Sequence, residues 1–266
     1  MRVALIQLNA SANKAENLKK AEGFVEEALN NGASFVLLPE VFYWRGNTRD
    51  KAALAQAAEP IPGPVTKAMA ALAQKHQAFI LIGSMLERAA GRTKVYNTSV
   101  LINDKGRITA KYRKIHLFDA RIGDKILKES DCFMAGKIPV RAAIKEFKVG
   151  LSICYDLRFP KLYAQYGLKG AQILTVPSCF TEKTGQAHWE SLLRARAIEN
   201  LAYVLAPNQV GVDYRGIEAY GHSMIVSPWG EVLAQGSAAN EEIIYGDINQ
   251  KAIDEARMIL PGIINA

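Results

Sequence analysis

Long hydrophobic runs are missing from this chain of 266 residues. Its apolar stretches, such as Phe35 to Leu38 and Phe79 to Ile82, fall far short of the ~20 residues that a membrane-spanning helix needs. No membrane partner is therefore expected. Cysteine is also scarce: Cys132, Cys154 and Cys179 are an odd-numbered set with no Cys-x-x-Cys spacing. That pattern excludes a disulfide framework and a zinc site, and it fits a reducing cytoplasm. The start, Met1 to Leu8, lacks a full apolar core and a small-residue cleavage site, so it reads as a first strand and not an export signal. The basic excess, 33 Lys and Arg against 26 Asp and Glu, is scattered and forms no stripe. Nucleic acid is not an expected partner. A net charge of +7 suits a solvated surface, or weak attraction of anionic small molecules. Low-complexity linkers, composition breaks and evident repeats are absent, so residues 1–266 read as one domain.

What is present is an alternation of short β-rich runs with helical periodicity, the mark of a layered α/β domain. Strands are predicted over 3–8, 34–38, 78–84, 97–102, 149–153, 172–176, 202–206, 223–226 and 243–245. The clearest helix starts at a capping-box-like Asn13 and Glu16, carries Leu18, Ala21, Val25, Ala28 and Leu29 on one face, and stops before Gly32. Others are predicted over 64–76, 160–166 and 188–200.

Chemistry-bearing residues stand at the ends of the apolar runs. Cys154 closes Val149-Gly-Leu-Ser-Ile-Cys154, directly before a helix opening at Pro160. Strand ends are rigid and expose side chains and backbone N–H groups, which suits a nucleophile, although a free cysteine is more often a small buried hydrophobe. Glu40 ends Phe35-Val-Leu-Leu-Pro-Glu40 and is followed by Phe42, Tyr43 and Trp44, which can pack or can wall a carboxylate from water. In Lys111-Tyr-Arg-Lys-Ile-His116, extended geometry sends Lys111 and Arg113 one way and Tyr112, Lys114 and His116 the other. A lysine on the mixed aromatic face, once buried, demands carboxylate partners, for which Glu40 and Glu129 are the candidates. Glu129 itself lies in a polar, turn-like stretch whose ordinary reading is a solvated surface.

Leu-Leu-Pro-Glu40, Tyr-Arg-Lys114-Ile-His-Leu-Phe-Asp119, Glu129-Ser130 and Ile-Cys154-Tyr-Asp-Leu-Arg-Phe-Pro160 resemble, in the same order, the motifs of the nitrilase, or carbon-nitrogen hydrolase, superfamily. The likeness continues through Ala187-His-Trp-Glu-Ser-Leu-Leu-Arg-Ala-Arg-Ala-Ile-Glu199 and Tyr220-Gly-His-Ser-Met224, and covers nearly the whole chain. It implies a four-layer α-β-β-α sandwich, no cofactor, and a Glu-Lys-Cys triad of Glu40, Lys114 and Cys154 assisted by Glu129. In that chemistry Cys154 attacks a linear amide, Glu40 moves the proton, and Lys114 with the backbone N–H of Tyr155 holds the oxyanion. The Cys-Tyr-Asp-Leu-Arg-Phe form looks like the amidase branches, and Leu-Leu-Arg-Ala-Arg-Ala-Ile-Glu199 looks closest to the deaminated-glutathione amidase branch, with ω-amidase as its neighbour. Both substrates are anionic. Arg158 is the candidate pocket cation, with an ion pair to Asp156 as its alternative, and Phe180 is a candidate wall. An N-carbamoyl amino acid hydrolase and a silent interaction protein on the same scaffold remain open, and a homodimer paired through helices beside the site is expected. His116, His188 and His222 also suggest a Cys-His protease, but Glu40 and Lys114 already supply its acid and base. Cys179 reads as inert packing, Trp189, Leu192 and Leu193 as a buried helix face, and Arg194 and Arg196 as structural hydrogen bonders.

Overall fold

The computed structural model describes residues 1–122 and 125–261. In chain order the strands are β1 (Arg2–Gln7), β2 (Phe35–Leu37), β3 (Phe79–Glu87), β4 (Tyr96–Ile102), β5 (Ile108–Arg113), β6 (Asp119–Ile122), β7 (Lys125–Lys128), β8 (Val140–Ile144), β9 (Phe147–Leu151), β10 (Ile173–Thr175), β11 (Tyr203–Ala206), β12 (Met224–Val226), β13 (Val232–Gln235) and β14 (Glu242–Asp247). The α-helices are α1 (Lys14–Asn30), α2 (Lys51–Ala57), α3 (Pro64–His76), α4 (Pro160–Gly167), α5 (Glu182–Asn200) and α6 (Gln250–Ile259).

Two six-stranded sheets form, in the orders β14-β1-β2-β3-β4-β5 and β13-β12-β11-β10-β9-β8. Each has a parallel trio at its heart, β1-β2-β3 in one and β9-β10-β11 in the other, flanked by antiparallel strands. This matched order is an internal pseudo-symmetry that the sequence does not display.

Side-chain alternation along the strands builds the layers. In the first sheet Val3, Leu5, Phe35, Leu37 and Leu81 share one core with the second sheet, whose members include Val149, Leu151 and Ile173. Their neighbours Ala4, Ile6, Val36, Ile80 and Ile82 point the other way, into a core with Ala21, Val25 and Ala28 of α1 and Val65, Met69 and Ala73 of α3. Helices α4 and α5 pack together, and their Tyr163, Tyr166, Trp189 and Leu193 belong to the core around the second sheet. The result is helix, sheet, sheet, helix, as the sequence motifs imply. Burying strands on both faces is what makes them read as continuous apolar runs.

Helix α1 matches its sequence reading, with Asn13 Oδ1 accepting from the Glu16 N–H at 3.3 Å. Helix α3 coincides with the predicted span. Helix α5 begins at Glu182, six residues before the predicted start, because the helix-weak Thr184 and Gly185 hide its opening. Gly185 is needed there: a Cβ would lie 2.2 Å from the Tyr220 ring. Strand β9 ends at Leu151 and not at residue 153, since Ser152 and Ile153 leave the ladder to aim Cys154.

Candidate active site

The carboxyl ends of β2, β5 and β9 deliver three side chains to one place. After β2, Leu38 and Pro39 carry Glu40 into the interior, where it is 3% exposed. This turn crosses β3 so closely that a Cβ on Gly83 would lie 1.8 Å from the Leu38 carbonyl oxygen. The next residue, Val41, holds φ at 47°, an unusual value for a β-branched residue, with its N–H donating to Ser84 Oγ at 2.9 Å. Glu40 Oε1 accepts from Asn97 Nδ2 and Lys114 Nζ, each at 2.8 Å, and Oε2 accepts from the Cys179 N–H at 3.0 Å. Its backbone oxygen accepts from Gln209 Nε2 at 2.7 Å.

Lys114 follows β5 and is 1% exposed. Parity works as the sequence predicts: Tyr112 and Lys114 are buried, while Lys111 and Arg113 turn outward to Glu87. The Lys114 ammonium also reaches Glu129 at 3.0 Å. Glu129 sits on a 3-10 turn after β7, where its Oε2 accepts from the Phe118 N–H at 2.7 Å. It is thus a carboxylate fixed by hydrogen bonds and only partly exposed.

Cys154 opens a second 3-10 turn with φ at 47° and is 8% exposed. Positive φ in a non-glycine residue is strained and persists only where its surroundings impose it. Here the Cys154 N–H donates to Pro177 O at 2.9 Å, and the buried Asp156 pins the turn. Asp156 accepts from the Ile153 N–H at 2.9 Å, the Tyr112 hydroxyl at 2.7 Å and the His116 N–H at 3.0 Å. His116 Nδ1 lies 2.7 Å from it as well. Asp156 therefore joins the nucleophile turn to the lysine strand, a link that sequence reading missed.

The electrostatics follow from burial and charge. Burial opposes the Lys114 ammonium, yet the carboxylates of Glu129 and Glu40 override it and raise the pKa well above the usual lysine value. Burial pushes the Glu129 carboxyl up, with Glu40 adding to the rise and Lys114 opposing it. Burial likewise pushes the Cys154 thiol well up, helped by the charge of Glu40 and countered by Lys114. The resting site therefore holds a neutral thiol beside a carboxylate and an ammonium.

All four predicted residues, Glu40, Lys114, Glu129 and Cys154, line one cavity of about 530 Å³. Trp44, Arg45, Asn97 and Cys179 line it too. Phe42 and Tyr43 are buried packing, with the Tyr43 hydroxyl donating to Ala57 O at 3.1 Å. Cys179 is a wall residue whose N–H positions Glu40, which corrects its reading as inert packing.

The side chains of Tyr155, Arg158 and Phe180 are not among those that line this cavity. The Tyr155 ring packs edge-on against Phe118 and Phe159, at 5.0 and 5.4 Å, which leaves only its backbone N–H for the site. The Arg158 Nη1 lies 3.3 Å from His188 Nδ1, and its guanidinium stands over Phe180 at 5.1 Å. It makes no ion pair with Asp156, whose oxygens are taken by the Ile153 N–H, Tyr112 and His116. Phe180 is behind the wall, 5.0 Å from Trp189, with its N–H donating to Asn208 Oδ1. Arg196 donates twice to Leu157 O and Arg194 donates to Gly230 O, structural bonds as expected. Among the described residues no histidine lines the cavity, and no group of three or more His, Cys, Asp or Glu is arranged to hold a metal ion.

Residues 2–258 match the model of the carbon-nitrogen hydrolase family. The chain is 39% identical over 264 residues to a deaminated glutathione amidase of Synechocystis sp., covering 98% of this chain and 96% of that protein. It is 40% identical over 261 residues to omega-amidase NIT2 of Homo sapiens, covering 98% and 92%. Among solved structures, the C. elegans NitFhit protein superposes with a TM-score of 0.91 at 35% identity, over all of this chain and 64% of that longer one. A match over nearly every residue, with the layers and strand-end side chains that its motifs imply, places this chain in the carbon-nitrogen hydrolase family of the nitrilase superfamily.

Proposed function

We propose that the protein is a cofactor-independent amidase that hydrolyses a small, carboxylate-bearing linear amide, of the kind acted on by a deaminated glutathione amidase or an ω-amidase. The observation that carries the reading is the Glu40–Lys114 contact of 2.8 Å in the cavity that Cys154 also lines. In this reading Glu40 accepts the thiol proton as sulfur attacks the carbonyl carbon. A C–S bond forms and the carbonyl oxygen becomes an oxyanion. Lys114 and the Tyr155 N–H, which has no intrahelical acceptor at the start of its turn, stabilise that charge. Glu40 then hands its proton to the leaving nitrogen, the C–N bond breaks and ammonia departs, leaving a thioester. Water, deprotonated by Glu40, attacks the thioester, the C–S bond breaks, and the thiol regains its proton. A thiol that is neutral at rest suits this coupling, because no thiolate has to survive beside the Glu40 charge.

Glu129 holds Lys114 charged and in place. We further propose one hydrolase domain, active in a reducing cytoplasm as a homodimer. The dimer reading is supported by two exposed apolar side chains, Ile198 on α5, which lies against Gly230, and Trp229, the residue before that glycine. Replacing Cys154 with Ala is expected to abolish ammonia release while leaving the melting temperature near that of the parent. A Cys154→Ala protein of full activity rejects the assignment. Deaminated glutathione, α-ketoglutaramate, simple aliphatic amides and carbamoyl amino acids, scored for ammonia and carbon dioxide, separate the amidases from an N-carbamoyl hydrolase. A silent interaction protein would release nothing from any of them.

A further inference from the structure

Asn97 touches both charged partners of the nucleophile. It stands on β4, is 1% exposed and lines the same cavity as Cys154. Its backbone oxygen accepts from the Lys114 N–H at 2.8 Å, which carries the β4–β5 pairing one step beyond Arg113 and fixes where the lysine leaves the sheet. Its side chain turns to Glu40, with Nδ2 donating to Oε1 at 2.8 Å. Among the described residues this is the one hydrogen bond of the Asn97 side chain, since no group donates to its Oδ1. The reversed amide would set Oδ1 against the Glu40 carboxylate, acceptor against acceptor, so the charge of Glu40 fixes the orientation. Packing alone does not select a buried amide here: a leucine has the same branched shape and no polar atom to satisfy.

The donors divide unequally between the two Glu40 oxygens. Oε1 receives two, Asn97 Nδ2 and Lys114 Nζ, each at 2.8 Å, and Oε2 receives one, the Cys179 N–H at 3.0 Å. A carboxylate oxygen offers about two lone pairs, so Oε1 is saturated while Oε2 keeps a position open. A proton can be taken at Oε2 without displacing a donor. Lys114 alone would not keep this division through the reaction. Its ammonium gives N–H groups to Glu40, to Glu129 and, in the transition state, to the oxyanion, so growing charge on the substrate oxygen draws it away from Glu40. Asn97 is neutral, has no competing partner for its Nδ2, and stays on Oε1.

We infer that Asn97 is a positioning residue for the proton transfers: it holds Oε1 of Glu40 as an acceptor and so reserves Oε2 for the proton that leaves Cys154 and ends on the departing nitrogen. The S–H proton moves to Oε2 as the C–S bond forms, and from Oε2 to nitrogen as the C–N bond breaks, so Glu40 ends the step ionised as it began. The inference rests on the amidase reading above and deepens it, by naming a residue outside the set of Glu40, Lys114, Glu129 and Cys154 on which the base depends.

The test compares an amide and an ester that share one acyl group: glutaramate with mono-4-nitrophenyl glutarate, or the panel amide that wild type prefers with its own 4-nitrophenyl ester, each rate corrected for hydrolysis without enzyme. Both substrates require Glu40 to take the thiol proton, but 4-nitrophenolate leaves unprotonated whereas the amide nitrogen needs the proton back. Asn97→Leu removes the donor and keeps the main-chain bond to Lys114. It is expected to lower kcat/KM about 100-fold for the amide, through kcat with KM little changed, and about 10-fold or less for the ester, so the amide-to-ester ratio falls by about tenfold or more. Asn97→Asp, which sets an acceptor against Glu40, should slow the amide at least as much. A merely structural role for Asn97 would slow both substrates alike, so a ratio within about threefold of wild type overturns the inference, as does an Asn97→Asp enzyme with the wild-type amide rate. Asn97→Ser gives the same comparison if Asn97→Leu fails to fold by circular dichroism. If wild type releases ammonia from no amide, the amidase reading fails by itself, and a crystal structure of Asn97→Ser decides the inference: a Glu40 carboxylate swung out of reach of Lys114 supports it, and an Oε1 contact that stays at 2.8 Å overturns it.

Discussion

Gly83→Ala adds a single methyl group outside the proposed catalytic set, yet it should disable the site. A Cβ at residue 83 would meet the Leu38 carbonyl oxygen at 1.8 Å, the Pro39 oxygen at 2.5 Å and the Leu38 carbonyl carbon at 2.7 Å. All three are backbone atoms, so no rotamer change relieves the contact. Cβ contacts below 3.0 Å are essentially never seen, so β3 and the Leu38–Pro39 turn must separate by more than 1 Å. Overpacking of this kind costs about 1–3 kcal/mol or more, and at this chain length each kcal/mol lowers the melting temperature by about 2–4 °C. A fall of several degrees in scanning calorimetry is expected. Activity should suffer more, because Glu40 is the next residue after Pro39 and holds Lys114 at 2.8 Å. Misplacing a reacting group by about 1 Å costs roughly a hundredfold in rate. Ammonia release measured beside the melting temperature therefore checks both halves. A variant with unchanged melting temperature and kcat/KM within about threefold of wild type would refute the claim that this close crossing positions the carboxylate.

Glu40→Gln should be nearly inactive in amide hydrolysis, yet its Cys154 thiol should alkylate faster at neutral pH. The carboxylate charge is one of the groups that hold the thiol pKa up, so a neutral amide lets it fall, and the midpoint of labelling against pH should move down. A midpoint that moves up would contradict the electrostatic account. Glu129→Gln should reduce turnover about 10- to 100-fold, part of the loss expected when an oxyanion donor is removed outright. Gln offers one acceptor oxygen where Glu129 serves both Lys114 and the Phe118 N–H, so one donor loses its partner. Because Glu129 raises the Lys114 pKa, its removal should also shift the alkaline limb of the kcat profile to lower pH. An unmoved limb with full turnover would mean that Glu129 does not sustain the ammonium.

Sequence reading succeeded where local periodicity and burial agree. Helices α1 and α3 could be read from their apolar faces and caps, and the central strands from apolar runs that only doubly covered sheets produce. Lys114 was legible through parity alone, since Tyr112 on the same side fixes which face turns inward. Strand β13 was not legible, because its residues are mostly exposed and carry no apolar alternation. Helix α6 was missed because only Ile253 and Ala256 of its ten residues are buried. Glu129 was visible only through likeness to other sequences, its polar turn being indistinguishable locally from a solvated one.

The amino-acid order by itself determined an α/β alternation, the strand-end placement of Glu40 and Cys154, and the inward face of Lys114, because these depend on repeats of two and 3.6 residues that neighbouring side chains encode; the four-layer sandwich was implied only by likeness to other sequences. Only the tertiary structure decided which arginines line the cavity: Arg45, Arg49 and Arg215 do, and Arg158 does not. Arg45 and Arg158 both follow strand-end motifs, and no local pattern separates them. The packing does: Arg158 lies against His188 and Phe180, while the 210–217 segment, more than 160 positions from Arg45 along the chain, folds back to enclose its guanidinium. Cavity lining is a property of everything that surrounds a side chain in space, and a linear sequence does not contain that neighbourhood.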